Sequence, residues 1–176
     1  IIPNLRLAKR VEAAGIDMIV VEGTEAGGTI GRLSTMALMT NVIPEVSIPV
    51  LAAGAIVDGR GLAAALMMGA EGIQMGTRFL ASAECVVHPQ YKEEILRATD
   101  VQSVSTGLSR NMGMRVLRSP FTEKFTQMEI SGVSDAELSD FASGASRAVA
   151  EKGLGADGMN GMVQCGQGLV PIKEIK

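Results

Sequence analysis

The first eighty residues alternate two hydrophobic periods. Asn4 opens a helix-spaced set in which Leu7, Val11 and Ala14 share a face, and Gly15 closes it. Residues 17–21 (Asp-Met-Ile-Val-Val) then run apolar without alternation, the pattern of a strand covered on both faces. Ser34 or Thr35 caps a second helix with Met36, Met39 and Ile43, and Pro44 cuts it short. Residues 50–53 form the next strand. Asp58 caps a third helix with Leu62, Ala65 and Leu66, which stops at Gly69 before a strand at 72–75. The segment Ala14-Gly-Ile-Asp-Met-Ile19 echoes Met68-Gly-Ala-Glu-Gly-Ile73, as repeated helix-to-strand turns would. Apolar strands joined by helices predict a parallel α/β sheet, satisfied by a closed barrel or an open doubly wound sheet.

After Phe79 the period changes. Residues 88–98 predict a polar helix that starts at His88 with Pro89 in its first turn, and residues 134–152 predict another with a Ser134/Glu137 capping box. Residues 153–168 are glycine-rich and read as a loop. This last third predicts a lid or appendage rather than more sheet. The expected organisation is residues 1–80 as the sheet-forming half and 81–176 as a helical and loop region over the site.

Composition narrows the class. The 176 residues suffice for one domain with a sizeable core, and 47% are apolar against 20% charged. A net charge of −3 argues against nucleic acid as a partner. No run reaches the ~18 apolar residues of a membrane span, so no membrane partner is expected. Cys85 and Cys165 lack metal-type spacing, which predicts no metal site and a reducing, cytoplasmic setting. The chain begins inside an apolar run without Met and reads as an excerpt of something longer.

The chemistry concentrates where strands end. Pro49-Val-Leu-Ala-Ala-Gly-Ala-Ile56 and Gly72-Ile-Gln-Met-Gly-Thr-Arg-Phe79 both finish in small-residue turns whose backbone N–H groups stay uncovered, as a phosphate requires. Glu22-Gly-Thr-Glu-Ala-Gly-Gly-Thr-Ile-Gly31 follows the first strand in the same way. Three such loops on one edge of a parallel sheet point to a cofactor site.

With Glu25-Ala-Gly-Gly28, Pro49-Val-Leu-Ala-Ala-Gly54, Gln74-Met-Gly-Thr-Arg-Phe79 and His88-Pro-Gln-Tyr-Lys-Glu93 in view, the chain resembles the enoyl-acyl-carrier-protein reductase II and nitronate monooxygenase family. The resemblance implies an FMN-dependent TIM (β/α)8 barrel, here its second half plus a C-terminal region. The strands at 17–21, 50–53 and 72–75 would be the sixth, seventh and eighth. It implies that Gly54, Ala55, Gly76 and Thr77 hold the FMN phosphate. Gln74 and Met75 would line the approach, with Glu22, Gly27 and Gly28 toward the flavin ring. NADH or NADPH is the implied reductant, and the implied partner is an acyl-carrier-protein thioester or a small-molecule substrate. A homodimer is left open. The segment 88–96 and Cys165-Gly-Gln167 look more like the reductase branch.

Two positions depart from the family pattern. Ala55 replaces a second glycine, tolerable if φ is negative. Thr29 stands where the family has the histidine proposed as acid/base. A hydroxyl still donates a hydrogen bond but exchanges no proton usefully near pH 7. Thr29 therefore disfavours an oxygenase that removes an α-proton more than a reductase whose hydride comes from the cofactor. A divergent, low-activity flavin-binding paralogue is the remaining alternative. Arg110, Arg115 and Arg118 are read as a solvated face, or a surface for an acidic carrier or dinucleotide phosphate. Met159 and Met162 are candidates for contacting an acyl chain.

Overall fold

The computed structural model describes residues 1–176. Helix α1 (Leu5–Ala13) starts where the Asn4 side chain accepts from the Leu7 N–H at 2.9 Å. Strand β1 (Ile19–Glu22) follows, then the two-residue strand β2 (Gly28–Thr29). Ser34 caps α2 (Thr35–Val42), and Pro44 turns the continuation into a short 3-10 segment. Strand β3 (Val50–Ala53), helix α3 (Gly59–Met67) with its Asp58 cap, and strand β4 (Gly72–Gln74) complete the predicted series.

The strands β1, β3 and β4 form one parallel sheet in the order β1-β3-β4. Val21 sits beside Ala52, and Ala52 beside Ile73. Ile2 adds a parallel bridge to Val21 on the other edge of β1. Parallel strands need crossovers, and α2 and α3 supply them. One face of the sheet packs Val21, Leu38, Val42 and Ala65 into a continuous apolar core.

The C-terminal region departs from the lid expectation by containing sheet. Strands β5 (Ser103–Thr106) and β6 (Met114–Leu117) pair antiparallel, and β6 also pairs with β2. Hydrogen bonding thus crosses the expected boundary near residue 80. The predicted helix from 134 to 152 is divided into α7 (Asp135–Ala142) and α8 (Ala145–Lys152) by Gly144, whose φ is 70°. Two helices precede β5: α4 (Thr77–Leu80) and α5 (Pro89–Arg97), the latter capped by His88 Nδ1, which accepts from the Gln90 N–H. Helix α6 (Pro120–Ser131) begins with a Ser119/Thr122 capping box. Two further apolar clusters hold this region: Tyr91, Ile95 and Leu169 in one, Val116, Phe121 and Phe125 in the other. No helix is long and apolar enough to cross a membrane.

Candidate active site

Strand β3 ends in two residues with positive φ, Gly54 at 115° and Ala55 at 55°. The negative φ expected for Ala55 is not what the turn adopts. Its side chain is exposed, so the left-handed backbone is the cost, about 1 kcal/mol for an L-residue. Gly54 has no such freedom. A Cβ there would lie 2.4 Å from Thr35 Oγ1. Gly23, just past β1, is equally committed, with the Thr35 backbone nitrogen 2.2 Å from its would-be Cβ.

Thr35 is therefore a wedge between two strand ends. Its N–H donates to Glu25 Oε2 at 2.7 Å, and its hydroxyl lies within hydrogen-bond distance of Glu25 Oε2 (2.8 Å) and Ala53 O (3.1 Å). Neither Glu25 nor Thr35 carries a sequence signal for this role beyond its place beside a turn.

The backbone N–H groups of Ala55, Ile56, Gly76 and Thr77 donate to no protein acceptor. They border a cavity of about 580 Å³ that also touches Glu22, Gly27, Gly54, Gln74 and Met75. That volume is within the usual range of small-molecule sites. No lysine or arginine lines it, whereas Glu22 and Glu84 do. An anion held here would rely on oriented backbone amides. A Cβ at Gly76 would meet nothing within 4 Å, so the backbone there opens into free space. Burial raises the Glu22 carboxyl above its usual pKa.

A third wall comes from residues 164–168. The Gly166 N–H donates to Thr77 Oγ1 at 2.9 Å, the Gln167 N–H to Glu25 O at 2.8 Å, and the Tyr91 hydroxyl to Gln164 O at 2.9 Å. Gly27 and Gly166 permit the approach: a Cβ on Gly27 would meet the Cys165 backbone at 2.6 Å, and one on Gly166 would meet Glu25 O at 2.7 Å. The distant segment thus walls the pocket made by the strand ends, through Gln164, Gly166 and Gly168.

Of the residues expected at the cofactor, Glu22, Gly27, Gly54, Ala55, Gln74, Met75, Gly76 and Thr77 line this one cavity. Gly28 and Thr29 do not. They form β2, where Gly28 is buried opposite Arg115 and Thr29 is exposed opposite Met114. The three arginines share no face. Arg115 is buried, donating to Thr24 O and Ser103 O, Arg110 pairs with Asp135, and Arg118 is exposed. Met162 is buried beside Phe121 and Phe125, and Met159 packs on the same cluster, so neither meets the cavity. Burial pushes the Cys165 thiol up to about 12, which keeps it protonated, whereas Cys85 is half-buried and lines the cavity. No cluster of three or more His, Cys, Asp and Glu side chains is placed to hold a metal.

Comparison with known proteins places this geometry. FabK from Thermotoga maritima superposes with a TM-score of 0.93 at 43% identity, over 99% of this chain and 55% of that one. A nitroalkane oxidase from Streptomyces ansochromogenes superposes with a TM-score of 0.77 at 29% identity, over 95% of this chain and 50% of its own. A nitronate monooxygenase from Paraburkholderia phytofirmans is 42% identical over 123 residues, 62% of this chain and 34% of that protein. The chain spans about half the length of these solved structures and about a third of the curated relative. The three parallel strands are accordingly part of a TIM-type α/β barrel. The family model described as nitronate monooxygenase matches residues 1–176, and the chain belongs to this family of oxidoreductases, which includes FabK-type enzymes.

Proposed function

We propose that this chain forms the phosphate-binding side of an FMN-dependent oxidoreductase that reduces 2-enoyl thioesters of acyl carrier protein with NADH or NADPH. The observation that carries the reductase reading is the 43% identity and 0.93 TM-score with FabK across 99% of the chain. The fit to FMN rests on the cavity itself. It offers uncovered N–H groups at Ala55, Ile56, Gly76 and Thr77 for a phosphate, and room beside Gly27, Met75 and Glu22 for a ring system.

When bound, FMN supplies the hydride-transfer chemistry. The chain's residues hold and enclose. The backbone at 55–56 and 76–77 would bind the phosphate, and Thr35 fixes the spacing of the β1 and β3 ends through Gly23 and Gly54. Residues 164–168 wall one side of the site. Thr29 lies outside the cavity and has no usable proton near pH 7, which weighs against a reaction begun by base abstraction at this position.

Nitronate oxidation is the second reading. It is favoured by the family model and by the 42%-identical nitronate monooxygenase. Two assays on the full-length gene product separate them. Anaerobic NAD(P)H oxidation dependent on a crotonyl thioester supports reduction. Oxygen uptake with a nitronate and no nicotinamide, with no thioester-dependent oxidation, replaces the reductase reading by the second.

A further inference from the structure

Gln164 faces the cavity from the third wall and belongs to no strand-end loop. Its backbone is held on both sides. The Tyr91 hydroxyl donates to Gln164 O, Gln164 bridges Val116, and the next two residues are tied to Ser103 and Thr77 through Cys165 O and the Gly166 N–H. The side chain is free by comparison, because the hydrogen bonds at this residue all run through its backbone. Its carboxamide lies against Gly28, where Oε1 is 3.4 Å from the position of a Cβ. A half-buried carboxamide with a fixed backbone and no protein partner is available to a ligand in the cavity.

We propose that the Gln164 carboxamide is a ligand-binding group for the polar edge of the flavin ring. A carboxamide offers one donor and one acceptor side by side, matching adjacent carbonyl and ring N–H or N groups. It lies against Gly28, next to the cavity-lining Gly27, so its role is toward the ring and not the phosphate. Gly28 is buried beside it with φ at 81°, a backbone conformation that favours glycine. This inference rests on the flavin reading above.

The test is titration of the full-length apo-protein with FMN and with riboflavin, which has the ring but no phosphate. Gln164→Leu is expected to weaken both ligands by about tenfold, the loss of roughly one hydrogen bond to a polar partner. Gln164→Glu, which keeps the shape and adds charge, is expected to shift the bound flavin's midpoint potential to more negative values. Unchanged affinity for both ligands, or a loss confined to FMN, overturns the inference. Should Gln164→Leu fail to fold, Gln164→Glu with an unmoved potential and unchanged affinities overturns it equally. If the wild-type apo-protein binds neither ligand, the flavin reading itself fails, which is a different outcome.

Discussion

The turns beyond the parallel strands β1, β3 and β4 and the 164–168 segment, which bridges to β6 at Val116, build two walls of the same cavity by different means. In the parallel part, secondary structure does the positioning. Each strand ends at the same edge, and the turns beyond β3 and β4 present bare amides because no side chain covers them. In the 164–168 wall, individual side chains do it. Tyr91 and Thr77 each hold one backbone group of the 164–168 segment, and the Arg115 guanidinium ties Thr24 to Ser103. The first wall is a property of the fold and tolerates most side-chain changes. The second depends on single contacts, each removable by one substitution.

That contrast can be broken most severely at the parallel wall's one steric commitment. Gly54→Ala places a Cβ 2.4 Å from Thr35 Oγ1 at a φ of 115°. We expect a destabilisation of about 2–4 kcal/mol and loss of FMN binding, read by thermal melting and flavin fluorescence. The attachment of the 164–168 wall is probed by Thr77→Val. It strips the acceptor from the buried Gly166 N–H, at a cost of about 1–3 kcal/mol. Because that bond joins the two walls, local hydrogen exchange should rise at residues 164–168 more than in β3.

A smaller effect in the opposite direction is expected at Ala55. Gly there relieves the left-handed strain but gains unfolded-state entropy, leaving a net stabilisation of about 0.5–1 kcal/mol. A destabilised Ala55→Gly variant would show that the methyl packs productively. The smallest effect is a pH dependence. The folded state raises the Glu22 pKa, so its contribution is fully present below the unfolded pKa and is lost as pH rises through the folded value. Glu22→Gln should therefore match wild type in acid and melt slightly higher than wild type near neutrality, in the apo-protein. Identical melting curves at both pH values would remove the desolvation argument.

The two sheets were also unequally legible in the sequence. Asn4, Ser34 and Asp58 announce their helices because a capping side chain acts within three residues, and Gly15 and Gly69 end theirs with positive φ. The parallel strands are readable since both faces are covered and the run is uniformly apolar. Strand β5 is Ser-Val-Ser-Thr and β6 carries a buried arginine, so neither has a clean alternation, and β2 hides two residues in a glycine loop. Helix α6 did carry a signal, Ser119-Pro120 with Thr122. The Thr35 wedge and Gln164 are tertiary facts. Their meaning depends on which backbone arrives from 10 or 73 positions away.

The central claim is that uncovered backbone amides at the ends of β3 and β4 hold a phosphorylated flavin without help from a cationic side chain. Paired equilibrium titration of the full-length apo-protein with FMN and riboflavin tests it most directly. The account predicts one FMN per chain, bound at least tenfold more tightly than riboflavin, with that preference surviving high salt better than a lysine or arginine contact would. Equal affinities for the two ligands, or no stoichiometric FMN, would contradict it.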